Sequence, residues 1–354
     1  MTYKALIHYD SPCAHAHPRR ACSEIMNLIG IPCLLWDTTN PNNTKPFYDI
    51  MDENPDLQLL WLQSYNLTQG MVRAIAERPY LKIAIRAADS SPLIDSMDKN
   101  KYKIIWASDQ QFKLISQIRD IIGNDNLLLF NHYPDKYFPL THENWIKEGY
   151  NVKQNLLGVD LSLYSNPVPR EVYHCDATFI GGCIEYKRRR LLPWLGKLDE
   201  CDDIRLRIYS SHRWSLQSHV GAIPMTENKN ALSSSKILLN VSEQHSVDIG
   251  ADIIERVYYS AFLGFLISDY VDGINDIFGY DTIVMAKTPD DMREMVQHYL
   301  RYPDERLPFM KRARKKVLEN HTYFHRVSDM FKNLGMQGES DKTMVIYDMV
   351  RNKL

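Results

Sequence analysis

Two adjacent glycines, Gly181 and Gly182, followed by the basic run Lys187-Arg188-Arg189-Arg190, are the strongest chemical signal in this chain. They come directly after Ala177-Thr178-Phe179-Ile180, an apolar stretch that reads as a buried strand. A strand that ends in Gly-Gly lets its backbone approach a ligand closely, because neither residue carries a Cβ. Basic side chains a few positions on can neutralise a diphosphate, arginine with a two-pronged fork. Successive helix residues point in different directions, so Lys187 and Arg188 are preferred over Arg189 and Arg190. The alternative is a tight turn before a helix whose basic face meets only water.

A second group of candidates lies between Ala231 and Tyr270. Residues 237–241 have strand length, 242–248 form a polar loop, and 251–263 carry a helical pattern stopped by Gly264. Residues 265–269 read as the next strand, so the stretch is a βαβ unit of a parallel sheet. Asp248, Gly250 and Ala251 are expected to begin its helix, whose outward N–H groups would suit a phosphate. Near the start of the chain, Asp10, His15 and His17 follow the first strand-like run, residues 5–9. There a histidine or aspartate could take the proton of an attacking hydroxyl. Asp89-Ser90-Ser91 is a second candidate of that kind. His15 and His17 also have a spacing found in zinc ligands, but no third ligand stands at a recognisable distance. No D-x-D triplet occurs, so no metal site is expected.

The elements that must position these residues alternate. Strand-like runs at 5–9, 32–37, 57–62, 81–85, 104–107 and 127–130 are separated by helical patterns at 19–29, 68–77 and 110–122. That is the signature of a parallel, doubly wound sheet. Regularity fails over 131–173, where Pro134, Pro139, Pro167 and Pro169 suggest an interdomain connection. A second series runs through 177–180, 205–209, the central unit and 282–286, with amphipathic helices at 290–302 and 308–319. The expected domains are 1–165 and 170–330, with a helical tail at 331–354 that could pack back on the first domain. A length of 354 residues fits two domains. With 44% hydrophobic and 24% charged residues, the composition is that of a soluble globular protein. A net charge of −2 gives no strong nucleic-acid signal. Six cysteines without a C-x-x-C pair read as reduced thiols. With no signal peptide or transmembrane-length run visible, a cytoplasmic location is expected.

The stretch SSKILLN … IIERVYYSAFLGFLISD resembles the donor-binding half of GT-B glycosyltransferases, in particular the CgeB-like branch of family-1/4-type enzymes. That branch reads S-x-x-K-I-x-L-N … R-x-F-E-x-x-A-x-G-x-F-L-L-x-D. Lys236, Asn240, Arg256, Gly264 and Asp269 match it. The pattern's Glu falls on Tyr259, and another acid, Glu255, lies one helical turn earlier. The likeness extends over roughly residues 170–330.

The resemblance implies an α/β fold of two facing Rossmann-like domains with a cleft between them, an acceptor-side domain first and a nucleotide-sugar-binding domain second. It implies transfer of a sugar from a nucleotide-diphosphate donor to an acceptor hydroxyl, retaining and metal-independent. No cofactor is needed beyond the donor. The acceptor could be a glycan, lipid, protein or modified nucleotide. The same resemblance turns Gly181, Gly182, Lys187 and Arg188 toward the donor phosphates and places Arg256 near the donor. It brings Ser211 and His212 to the base, with Trp214 available to stack on it. A carboxylate of the central helix would grip the ribose hydroxyls, a role left open between Glu255 and Tyr259. Tyr258 and Tyr259 could equally be core packing. Two other readings are a nucleotide-sugar epimerase and a non-catalytic sugar-binding protein derived from a transferase.

Overall fold

The fold is described by a computed structural model covering residues 3–9, 16–39, 44–87, 109–183 and 185–354. The chain divides into two compact units, 1–156 with 323–353, and 157–322.

The first unit is built on six parallel strands: β1 Lys4–Tyr9, β2 Cys33–Asp37, β3 Leu57–Gln63, β4 Lys82–Arg86, β5 Leu127–Asn131 and β6 Val152–Gln154. Their order is β2-β1-β3-β4-β5-β6. The central strands are apolar on both faces, as parallel strands sandwiched between helices must be; Leu59, Leu60, Ile83, Ile85, Leu127 and Leu129 are all fully buried. Helix α1, Ala16–Leu28, buries Ala21, Cys22, Ile25 and Met26, a stripe at helical spacing. Gly30 follows with φ +82, the left-handed conformation that ends a helix readily. Helix α2, Gln69–Ala76, starts where the Thr68 hydroxyl accepts from the Met71 N–H. Helix α3, Asp109–Ile122, buries Leu114, Ile115 and Ile118. The expected strand at 104–107 lies outside the described residues.

The stretch expected to be a connection is partly sheet. β6 pairs with β5 through Leu129↔Val152 and Asn131↔Gln154. It is three residues long, too short for its alternation to stand out in the sequence. The last two helices, Tyr323–Asn333 and Gln337–Arg351, pack on each other and on α1. Lys82 Nζ donates to Leu334 O at 2.7 Å and Asn151 Nδ2 to Asn333 O at 3.2 Å, tying the end of the chain to the first sheet.

The second unit carries β7 Cys175–Ile180, β8 Leu206–Tyr209, β9 His219–Gly221, β10 Ser235–Asn240, β11 Leu266–Asp269 and β12 Val284–Ala286. Their order is β12-β11-β10-β7-β8-β9, again all parallel. The chain order reverses between β7 and β10, and crevices form at the carboxyl ends of strands at such a switch point. Helix α4, Glu185–Asp199, follows β7. A short helix α5, Gln244–Ile249, and helix α6, Glu255–Leu263, follow β10. Helix α7, Pro289–Arg301, begins with a reciprocal Thr288/Asp291 capping box and Pro at its first position. The two parallel α/β sheets are the fold class expected from the sequence. Among the described residues, no helix is long and apolar enough to cross a membrane.

Candidate active site at the switch point of the second sheet

The β7–β10 switch point is closed from below by one side chain. Arg256, in the first turn of α6, donates from Nη1 to Ile180 O at 2.9 Å. Its Nε reaches Asn240 Oδ1 at 2.9 Å and its Nη2 reaches Val241 O at 3.0 Å. The guanidinium also lies over the Phe179 ring, 4.3 Å from its centroid. It thus ties the last turns of both strands together, using the fork that only arginine offers.

This geometry explains the first glycine. A Cβ on Gly181 would meet Arg256 Nη1 at 2.5 Å and the Phe179 ring at 2.8 Å. Gly182 lies beneath the His212 imidazole, where a Cβ would stand 3.1 Å from Nδ1. His212 and Ser211 are exposed, and the Ser210 hydroxyl accepts from the His212 N–H at 2.9 Å. Gly181, Gly182, His212 and Arg256 are therefore one cluster. Trp214 is not the expected stacking platform: it is buried, its indole N–H donates to Gly181 O at 3.2 Å, and its ring meets Phe179 edge-on. A large apolar ring next to a strand core goes inward, where its one N–H finds a carbonyl.

The four basic residues of α4 separate as helix geometry requires. Lys187 forms an ion pair with Glu243, Arg188 and Arg189 are exposed, and Arg190 turns inward to Asp269. Arg190 Nη2 is 2.7 Å from Asp269 Oδ2. The other carboxylate oxygen accepts from the Ser242 N–H and Oγ, both at 2.9 Å. Asn240 Nδ2 donates to Ser268 Oγ at 2.8 Å. Burial pushes the Asp269 carboxyl above its ordinary value, against the pull of Arg190 and the Ser242 hydrogen bonds.

The expected helix start at Asp248 and Gly250 is corrected. Gly250 has φ 76 and ends α5, and α6 begins only at Glu255. The polar stretch read as a loop forms α5 instead, the left-handed glycine ends it, and the helix expected from 251 starts four residues later. Asp248 is exposed and accepts from Gln244 Nε2 at 2.7 Å. Glu255 is half-buried in the first turn of α6, where a carboxylate suits the helix dipole. Tyr259 is buried and stacks on Tyr164, ring centroids 4.7 Å apart and nearly parallel. Burial pushes its hydroxyl up to about 12, with Arg256 opposing. The same surroundings, burial first and then Tyr259 and Glu255, hold Tyr164 well above the ordinary range.

Of the first-unit candidates, Asp10, His15 and Asp89-Ser90-Ser91 lie outside the described residues. His17 is half-buried in the first turn of α1, following the carboxyl end of β1.

Sequence reasoning missed a further cluster after β10. His245 Nε2 is 2.8 Å from Asp252 Oδ2, and its Nδ1 is 3.6 Å from Glu243 Oε2, the acid that also holds Lys187. The signal available was a histidine flanked by acids two positions before and seven after, which has no recognisable periodicity. Burial alone would depress this imidazole, but the Asp252 hydrogen bond and the Asp252 and Glu243 charges outweigh burial and the opposing Lys187. Its folded pKa therefore lies above the unfolded one. The resulting stabilisation is complete below the unfolded value and is lost as pH rises through the folded value. Asp252→Asn is expected to bring the His245 titration, followed by its imidazole NMR signals, below that of an ordinary histidine. An unchanged midpoint would show that the carboxylate does not set it.

Residues 188–332 match the family model described as glycosyl transferase-like. No curated protein matches the chain by sequence. Among solved structures, sucrose-phosphate synthase from Thermosynechococcus elongatus is similar with TM-score 0.61 at 9% identity, covering 94% of this chain and 98% of that one. HepE from Anabaena in complex with UDP-glucose gives 0.55 at 8% identity, with 94% and 99% covered. T4 phage BGT in complex with its UDP-glucose substrate gives 0.54 at 11%, with 97% and 99% covered.

Proposed function

We propose that this chain, which has the GT-B glycosyltransferase fold and carries a glycosyl transferase-like domain over residues 188–332, moves a sugar from a nucleoside-diphosphate donor to an acceptor hydroxyl. The observation that carries the reading is the Gly181-Gly182 turn at the β7–β10 switch point, held open by Arg256 and bordered by His212. The Gly181 N–H is taken by Tyr209 O at 3.0 Å, so it is at Gly182, likewise without a side chain, that phosphate oxygens would approach the backbone, and the start of α4 adds its dipole. Lys187 and Arg188 would take the charge that builds up on the departing diphosphate. Glu255 would accept from the ribose hydroxyls, with Tyr259 packed behind it against Tyr164. The proton of the attacking hydroxyl is assigned to the loop after β1, to His17 with Asp10 and His15.

Metal independence belongs to this reading: the sequence has no D-x-D triplet, and the helix N-terminus and basic side chains would take the leaving-group charge instead. Retention at the anomeric carbon rests on the likeness to family-4-type enzymes, and proton NMR of the first-formed product decides it. UDP-glucose, bound in the HepE and BGT structures, is the first donor to try. At a hundred times Kd a nucleotide sugar should stabilise the protein by about 2.7 kcal/mol, visible as a thermal shift. Lys187→Ala should weaken nucleoside-diphosphate binding about tenfold or more, since a charged hydrogen bond contributes about 1.5–3 kcal/mol. Arg189→Ala should bind like wild type, and EDTA should leave turnover unchanged. Strict dependence on Mn²⁺ or Mg²⁺ would sink the metal-independent part of this reading, and the absence of any nucleotide-sugar shift would sink the whole.

A further inference from the structure

One carboxylate in the second unit serves two cations. Glu243 stands three residues beyond the end of β10, and Lys187 lies in the first turn of α4, the helix that follows β7. Their ion pair therefore joins the two segments that leave the strands on either side of the switch point. Glu243 Oε1 takes the Lys187 ammonium, and Oε2 lies 3.6 Å from His245 Nδ1. The opposite ring nitrogen, Nε2, is 2.8 Å from Asp252 Oδ2, in the turn between α5 and α6. Lysine, glutamate, imidazolium and aspartate thus follow one another with alternating sign.

Side-chain exposures of 24%, 13%, 9% and 13% along this series leave little water to screen the charges. Burial depresses the His245 pKa and Lys187 adds to that, but the Asp252 and Glu243 carboxylates raise it above the ordinary value. Glu243 also feels the Arg256 guanidinium of α6. A carboxylate shared by two cations is a competition. While Lys187 holds Glu243, the imidazolium receives only part of that negative charge. A diphosphate that draws the ammonium away leaves Glu243 to His245 and adds negative charge of its own. Both changes favour the protonated ring.

We infer that Glu243 and His245 are the positioning pair for Lys187. Glu243 holds the ammonium ready, and protonated His245 takes over the carboxylate when the donor diphosphate draws Lys187 to itself. Donor binding is therefore coupled to proton uptake at His245, and neither residue of the pair has to touch the donor. The inference rests on the transferase reading, in which Lys187 meets the diphosphate. By linkage, the proton strengthens donor binding by the factor by which the donor raises the proton affinity of His245. Affinity should be highest below the His245 pKa of the free chain, fall as pH rises through it, and level off above the pKa of the complex. A shift of about one pKa unit, hence an about tenfold change in affinity, is expected for charges acting across one intervening side chain.

The test is calorimetric titration of the full chain with UDP-glucose. Both of its phosphates are esterified, whereas the terminal phosphate of UDP itself titrates at about pH 6. Imidazole NMR locates the His245 midpoint, and the titration is run near it in two buffers of different ionisation enthalpy. The two heats should differ by the uptake of about half a proton, as a one-unit shift requires. His245→Gln should bind UDP-glucose without proton uptake and with an affinity that no longer changes over this pH range. Glu243→Gln should lose most of the uptake too, without the uniform weakening that a merely structural Glu243 would cause, and serves where His245→Gln does not fold. Lys187→Ala reads the coupling with no ligand present: it should raise the His245 midpoint of the free chain, as the diphosphate does in the complex. UDP-glucose binding without proton uptake, an uptake that persists in both His245→Gln and Glu243→Gln, or a midpoint unmoved by Lys187→Ala overturns the inference and leaves the transferase reading intact. Failure of both UDP and UDP-glucose to bind at any pH removes the donor from the scheme, and the two readings fall together.

Discussion

Arg256→Met should destabilise the second unit by about 3–5 kcal/mol and remove nucleoside-diphosphate binding at the same time. The size follows from what the guanidinium holds. Ile180 O, Val241 O and Asn240 Oδ1 all accept from it, and each would be left without that donor beneath the crevice. A charge-assisted hydrogen bond contributes about 1.5–3 kcal/mol, and three sharing one donor group do not add in full. Methionine keeps the volume against Phe179, so the loss reports on hydrogen bonding and not on a void. Arg256→Lys should fall between, because an ammonium cannot span three carbonyls in the guanidinium plane. Urea unfolding gives the stability, and UDP titration under folding conditions gives the binding. A variant that unfolds like wild type yet loses UDP would make Arg256 a direct ligand instead of a clamp. One that loses stability and keeps UDP affinity would detach the clamp from the site.

The legibility of this arrangement in the sequence was uneven. The apolar runs of β1, β3, β4, β5, β7, β10 and β11 stand out because parallel strands are buried on both faces, and the parallel α/β class follows from their alternation with helices. β6 and β9 do not stand out, each being three residues long. The Gly181-Gly182 turn was visible as a turn, but the reason for it is Arg256, 75 positions later, and no local pattern encodes that contact. The matching residues of the family pattern prove informative in an unexpected way. Asn240, Arg256 and Asp269 are bonded to one another or to shared neighbours inside the protein, and Lys236 pairs with Asp176 near the amino ends of β10 and β7. Gly264 is where a Cβ would press on Leu238 at 3.1 Å. A pattern read as a donor site is largely an internal frame at the switch point. Trp214 and Tyr259 show the same limit, because whether an aromatic turns in or out depends on neighbours the sequence does not place beside it. Tyr259 finds Tyr164, 95 positions earlier.

The frame itself can be tested at its most deeply buried charge. Asp269→Asn should cost about 3–5 kcal/mol, because it strips the partner from Arg190 while leaving the guanidinium in place. Asparagine keeps the shape and one carbonyl for the Ser242 N–H, so the loss measures the ion pair more than the packing. Arg190→Met should cost a similar amount for the opposite reason, leaving a carboxylate at 0% exposure with only neutral donors. The double variant Arg190→Met/Asp269→Leu should cost clearly less than the sum, since an apolar pair needs no compensation. About 1–3 kcal/mol should remain, because the Ser242 N–H then has no acceptor. Stability restored in that way should not restore UDP binding, because Ser242 follows directly on Val241, whose carbonyl Arg256 holds, and loses its anchor. Two outcomes would argue against the scheme. An Asp269→Asn loss below about 1 kcal/mol would place this pair among those whose desolvation cancels their attraction. A double variant that binds UDP like wild type would show that the Asp269–Ser242 link stabilises the unit without positioning the loop proposed to meet the donor.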